Sequence, residues 1–384
     1  MTEPARTSLR PPSVGSGLMR SINDDGVTAS FGLAADEVVT RRQGSAESPP
    51  TVRLYTYRSH CALVGRFQRA ASEVRLAVCR ERGIAVNRRP TGGGAILMGA
   101  DQLGVAVMTP RGSLERSYDR VRELFQRYGA GLAEALRALG VPAEYRRKND
   151  IEVNGRKIAG LGIYFDRLGG LLFHASLLVD LDIPLMLAVL NTPFEKISDK
   201  EIATVGDRIT TVRRECGRAV TLDEVRDLVR RGYERTLGVE LVPGGFTDDE
   251  LREIGALERE RYATAAWLER EPAVADATGS ATLKTPGGLI SAHLTLAGDV
   301  IKAVYLTGDF FCDERVLLGL ERALRWHAAE PERIVKTLDA LGTSDGLGLP
   351  GIEPEDIGRV VGRAVDAARR LEQAAVAKGC FVNP

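Results

Sequence analysis

Residues 84–108 read IAVNRRPTGGGAILMGADQLGVAVM, and the rest of the chain is best understood from this stretch outward. An apolar run, Ile84-Ala85-Val86, leads into Arg88 and Arg89, then Pro90, Thr91 and three consecutive glycines, Gly92, Gly93 and Gly94. Apolar runs resume from Ala95 to Met98 and again from Leu103. Glycines between two β-type runs let the backbone approach a ligand with no Cβ in the way. Adjacent arginines add fixed positive charge and planar donors suited to phosphate or carboxylate. The stretch predicts an anion, foremost a nucleotide phosphate, held against the edge of a sheet. A glycine-rich hairpin with two solvated arginines fits the same residues equally well. Neither a Walker loop nor a dinucleotide fingerprint is present, and a strand follows the glycines, so a helix-dipole site is not implied.

A chain of 384 residues has room for two or three domains with their own cores. Its 52 basic and 52 acidic residues balance, which gives no bulk case for nucleic acid or a membrane surface. Lysine is scarce among the basic residues, so a lysine inside a motif carries weight. The five cysteines, at 61, 79, 216, 312 and 380, show no CxxC and no metal-ligand spacing with histidine, which predicts free thiols in a reducing compartment. No apolar run is long enough to span a membrane, and the N-terminus lacks an apolar signal core, so a cytoplasmic protein is expected. Residues 1–26 are expected to form a disordered leader.

Along the chain, 27–42 has helical spacing, 52–58 alternates as a strand, and 61–65 reads as a second strand paired to it. Residues 70–82 suit a helix stopped by Gly83, and an amphipathic helix is expected over about 113–139. Strands are expected at 150–153, 158–165 and 171–179, the first two joined by the Asn154-Gly155 turn. Helices follow at 183–190 and 221–236. Composition shifts after about Glu260, and 282–311 reads as a β-meander followed by helices near 313–328, 330–341 and 354–378. The expected division is a catalytic domain over 27–262 and an accessory α+β domain over 263–384.

Lys157 is the sharpest single residue, placed just after the Asn154-Gly155 turn with Asn149 and Asp150 upstream. An ammonium there would neutralise charge building on phosphate oxygens, whereas an isolated turn lysine is the ordinary reading. RRPTGGGA at 88–95, NDIEVNGRKIAG at 149–160 and FHASLLVDLD at 173–182, in that order, resemble the motifs of the lipoate–protein ligase A family. LYTYRSHCALVGRFQ at 54–68, LNTPFEKISDK at 190–200 and GDFF at 308–311 extend the resemblance over most of the chain.

The resemblance implies ATP, Mg²⁺ and lipoate as substrates or cofactors, and a lipoyl-adenylate intermediate. It also implies transfer of the acyl group to a lysine of a small lipoyl-domain or lipoate-binding acceptor protein. Lys157 matches the catalytic lysine. Arg88, Arg89, Thr91, Gly92, Gly93, Gly94 and Ala95 match the loop that lines the adenylate. Asn149 and Asp150 match the pair that contacts the adenylate or its Mg²⁺, with Asp150 the metal ligand; Gly160, His174 and Gln68 are further candidates for the ligand wall. The implied fold is a mixed, largely antiparallel sheet flanked by helices, biotin/lipoate ligase-like, with a smaller α+β C-terminal domain. One departure stands out: the family histidine after the glycines is missing near Met98-Gly99. Octanoyl or lipoyl transferases of the same fold use a cysteine nucleophile, and residues 140–160 contain none. A non-catalytic lipoate-binding paralogue is the third reading.

Overall fold

The computed structural model describes residues 17–112, 120–146, 149–191, 207–269, 278–342 and 347–377. In chain order the strands are β1 Leu18–Val27, β2 Thr51–Tyr57, β3 Cys61–Val64, β4 Ala85–Arg88, β5 Ile96–Met98 and β6 Leu103–Pro110. Then come β7 Glu144–Arg146, β8 Asp150–Val153, β9 Arg156–Phe165, β10 Gly170–Leu177 and β11 Glu240–Pro243. The last are β12 Gly279–Thr285, β13 Gly288–Ala297, β14 Val300–Gly308 and β15 His327–Ala328.

An eight-stranded sheet runs in the order β11-β1-β2-β6-β10-β9-β8-β7. β1 is parallel to both β11 and β2, and every other pairing in this sheet is antiparallel. Alternation along the central strands divides their side chains between two cores. Val52, Leu54, Val105, Val107, Leu171 and Phe173 face one core, shared with helices Val121–Ala138 and Leu222–Leu237. Tyr55, Tyr57, Ala106, Met108 and Leu172 face the other, under helix Ala29–Gly44. Because both faces are covered, β2 is buried along its whole length although polar Thr51, Arg53 and Thr56 interrupt its apolar residues.

Four expectations change. Leu18–Val27 is a strand, so residues 18–26 do not belong to a leader. Its polar composition hid it, because its charges are tied to remote residues: Arg20 to Glu250, Asp24 to Arg53 and Asp25 to Arg226. β3 does not pair with β2, both of whose edges are taken by β1 and β6. It joins β4 and β5 in a separate three-stranded sheet. The helix expected over 70–82 is broken into Ala70–Glu73 and Leu76–Glu81, where Val74 bridges to Leu190. Helix Ala265–Leu268 packs on the catalytic side through Trp267, so the boundary does not fall at 263.

The remaining strands form a four-stranded sheet, β12-β13-β14-β15, whose core is closed by helices Glu314–Leu324, Pro331–Leu341 and Pro354–Ala377. This unit is seated on the first through Phe310, which stacks on Phe67 at 5.2 Å, and Phe311, which meets Phe125 edge-on at 5.3 Å. The expected helix start at 113–119 and the segment after Asn191 lie outside the described residues.

Candidate active site

One rung of the large sheet organises the site. Tyr55 pairs with Gly104, Gly104 with Ser176, Ser176 with Gly160, and Gly160 with Asp150. Residues on one rung present their side chains to one face. Here that face carries two glycines and a serine between a tyrosine and an aspartate, the floor of a trough in which the Tyr55 ring lies over Gly104 and the Lys157 side chain over Gly160. The three-stranded sheet and helix Ala29–Gly44 form its other wall, contributing Leu33, Leu63, Ala95, Ile96 and Met98.

At one end Lys157 Nζ lies 2.6 Å from Asp150 Oδ1. Asn154 and Gly155 both adopt positive φ, the geometry of a tight hairpin turn between β8 and β9. A register shift at Ile151/Glu152 sets Lys157 opposite Glu152, and its backbone also bonds to Arg208 and Thr210. The ammonium then folds back over Gly160, where a Cβ would stand 3.0 Å from Nζ. A side chain at 160 would crowd the end of the lysine, which would have to shift by a few tenths of an ångström. Asn149 lines the same end, with its Nδ2 donating to the Leu161 carbonyl at 2.9 Å.

The two arginines divide their labour. Arg88 does not line the pocket: its guanidinium is buried and donates to the carbonyls of Gly65, Arg66, Gln68, Trp267 and Leu268. It fastens the 65–68 loop to helix Ala265–Leu268, which corrects its expected place against the ligand. Arg89 does line the pocket, donating to the Leu63 and Gly94 carbonyls while its Nε has no partner. It forms no ion pair with a described carboxylate, and burial lowers its pKa only to about 10, so it stays cationic at neutral pH.

Thr91 is fully buried and shares a 2.9 Å hydrogen bond with His174 Nε2. Burial, then the neighbouring Arg89, push the His174 pKa down to about 3. The ring is neutral and serves to hold Thr91. Gly162 makes room for it, since a Cβ there would lie 2.5 Å from Nε2. Gln68 sits outside the trough: its Oε1 accepts from the Gly65 amide at 2.9 Å and shapes the loop that Arg88 clamps.

The three loop glycines have three different reasons. A Cβ on Gly92 would stand 2.2 Å from the Phe310 carbonyl oxygen, so this glycine admits the C-terminal unit. Gly93 has φ +97° and stacks its carbonyl against Gly65. Gly94 is exposed with nothing within 4 Å of its Cβ position, and it lines the trough together with Gly93. Tyr55, Tyr57 and Ser176 also line the pocket and were not singled out from sequence. The alternation of LYTYR was the available signal, because it puts both tyrosines on one face. At the missing loop histidine, His60 occupies the space over Gly99, its ring 2.7 Å from the Cβ position, with Nε2 3.7 Å from Asp101 Oδ1.

Among the described residues no cysteine lines this pocket. Cys61, Cys79 and Cys312 are buried, Cys216 is half-buried, and burial pushes all four thiols up. Among the described residues no three or more His, Cys, Asp or Glu side chains cluster as a metal site.

Residues 28–234, more than half of the chain, match the family described as the lipoyl protein ligase A/B catalytic domain. The chain is 31% identical over 265 residues to octanoyltransferase LipM of Symbiobacterium thermophilum, covering 62% of this chain and 93% of that protein. It superposes with a TM-score of 0.59 on a chain from the structural analysis of an archaeal lipoylation system, a bipartite lipoate protein ligase and its E2 lipoyl domain from Thermoplasma acidophilum. The identity there is 28%, with coverage of 67% of this chain and 99% of that one. A lipoate–protein ligase A bound with ATP gives a TM-score of 0.57 at 26% identity, covering 66% and 98%. The sheet, the trough across it and the matched span agree: this chain belongs to the lipoyl protein ligase A/B catalytic domain family.

Proposed function

We propose that the protein is an AMP-forming lipoate–protein ligase. It would condense lipoate with ATP to lipoyl-adenylate and pass the acyl group to a lysine of a small lipoyl-domain acceptor. The observation that carries this reading is the pair of cations on one trough: Lys157 at its mouth, and Arg89 in its wall with no carboxylate partner among the described residues. Activating a carboxylate brings it against a phosphate, and two positive groups in a partly desolvated site offset that repulsion.

Lys157 is placed to meet charge developing between carboxylate and α-phosphate, while the Thr91–His174 pair holds the loop that carries Arg89. A Mg²⁺ ion would find Asp150, which ends the rung beside Lys157, and would take its other ligands from phosphate oxygens and water, as Mg²⁺ commonly does. Its contribution when bound is further charge neutralisation. The likeness to a ligase solved with ATP and to one studied with its lipoyl domain supports this choice of substrate and partner. No described helix is long and apolar enough to cross a membrane, which is in keeping with the cytoplasmic setting we assign.

The second reading is an octanoyltransferase, favoured by the identity to LipM. A thioester mechanism needs a thiolate with a lowered pKa near the acyl carbon. The described thiols are shifted the other way and lie off the trough, and the fifth, Cys380, lies outside the described residues. The test is to combine the protein with lipoate, Mg²⁺-ATP and a lipoyl domain and to weigh the acceptor by mass spectrometry. The ligase gives an ATP-dependent mass shift that survives replacement of all five cysteines. Transfer from an octanoylated carrier protein without ATP, lost in the cysteine-free variant, would establish the transferase instead. A protein that binds lipoate and modifies nothing would be neither.

A further inference from the structure

Ser176 sits at the middle of the rung, between Gly104 and Gly160, and its half-buried side chain lines the trough. Among the described residues nothing hydrogen-bonds its Oγ, and the atom is not shut away as the orphaned polar atoms of the core are. The hydroxyls around it are engaged, Thr91 with His174 and Tyr55 with Tyr57. Ser176 thus offers the trough a donor that its own fold does not use.

The direction of that hydroxyl is set by its neighbours. Ser176 Oγ lies 3.4 Å from the Cβ position of Gly160, and Lys157 Nζ lies 3.0 Å from the same point. Hydroxyl and ammonium therefore border one small space, at the end of the trough away from Tyr55. Asn149 and Gly93 line the same end, but the Asn149 Nδ2 is already given to the Leu161 carbonyl. An oxygen seated there meets charge from the lysine and a fixed direction from the serine.

We propose that Ser176 is a catalytic residue of the acyl-transfer step: its Oγ–H donates to the acyl carbonyl oxygen in the space it shares with Lys157. This rests on the acyl-activating reading above and deepens it. Before activation the same bond holds one carboxylate oxygen and leaves the other to attack the α-phosphorus. In transfer the acceptor amine forms a C–N bond to the acyl carbon, and the C=O π pair moves onto the carbonyl oxygen. That pair returns as the C–O bond to AMP breaks. AMP leaves as its phosphate anion, and the surplus proton of the amine goes to solvent. Negative charge on the carbonyl oxygen falls during activation and rises during transfer, so this donor accelerates the second step more than the first.

The experiment compares the full chain with Ser176→Ala, which removes one oxygen from the side of the trough. Transfer is followed by mass spectrometry from synthetic lipoyl-adenylate to a lipoyl domain, and activation by pyrophosphate release from lipoate and ATP. Calorimetry without ATP gives the binding of lipoate and octanoate. Transfer is expected to fall about 10²-fold, the scale of one lost oxyanion donor, and activation by less. Both acids carry the same carboxylate and differ in the tail, so both should weaken by one factor, roughly tenfold. Transfer that falls no more than activation overturns the proposal, as do unequal or absent losses of affinity. Ser176→Thr keeps the hydroxyl and is expected to transfer faster than the alanine variant; equal rates overturn it too. Absence of pyrophosphate release from the wild-type protein would sink the ligase reading alone. The binding ratios stay legible in that case, so the two failures are distinguishable.

Discussion

A lysine that answers developing charge must be held near the reacting atoms yet stay free to change partners. Lys157 meets both demands through a partly exposed ion pair with Asp150, a kind of contact that adds little to stability. Lys157→Ala is therefore expected to leave the thermal midpoint within a few degrees of wild type. Pyrophosphate release should fall by about 10²–10³, the usual loss when a transition-state charge partner is removed. Full activity in a folded variant would remove Lys157 from the mechanism.

His174 sets a pH dependence with a definite sign. Its folded-state pKa of about 3 lies below the ordinary 6.5, so the unfolded chain binds the proton first as pH falls. Stability from this site is complete above pH 6.5 and drains away toward pH 3. Thermal melts across that window should show His174→Gln losing less stability on acidification than wild type; parallel curves would refute the assignment. At this scale the arginine pair was legible as a pair but not in its roles. Which neighbour faces the ligand depends on where the carbonyls of residues 65–68 and 267–268 fall, and those come from remote parts of the chain.

The glycine loop shows how one element serves two neighbours. Gly92 is closed off by a backbone carbonyl of the C-terminal unit, whereas Gly94 faces open space without positive φ. Gly94→Ala should keep stability within about 0.5 kcal/mol, as surface substitutions usually do, and should alter the KM for ATP or lipoate. Gly92→Ala must displace either the loop or Phe310 and should cost about 1–3 kcal/mol, the range for overpacking. Urea denaturation of both variants decides this, and equal stabilities would show that the Phe310 contact yields freely. Three glycines in a row read as admitting a ligand, whereas at Gly92 the Phe310 carbonyl takes the space of the absent Cβ. What they approach could not be read locally, because the carbonyl over Gly92 lies more than two hundred residues away in sequence.

Over the whole molecule the two units are joined by an aromatic clasp at 310–311. Phe311 is counted in the core of the large sheet although it leads out of the small one. Phe311→Ala is expected to destabilise the chain by about 3–5 kcal/mol, as for other buried phenylalanines. The same change should slow lipoate activation, since Phe311 Cζ lies 3.6 Å from the Gly93 Cβ position. Calorimetry together with pyrophosphate release measures both effects, and a stability loss without any kinetic loss would separate the clasp from the loop.

The sequence by itself determined the family and most of the strands. Motif spacing, the Asn154-Gly155 turn and the alternation of the central strands are local properties, set by backbone conformation and side-chain period. Only the tertiary structure decided that β1 exists, that β3 leaves the main sheet, and that Arg89 rather than Arg88 faces the trough. The physical reason is shared by all three. A polar strand, a strand paired outside the main sheet and a buried guanidinium are each stabilised by partners distant in sequence, and no local pattern records where those partners will be.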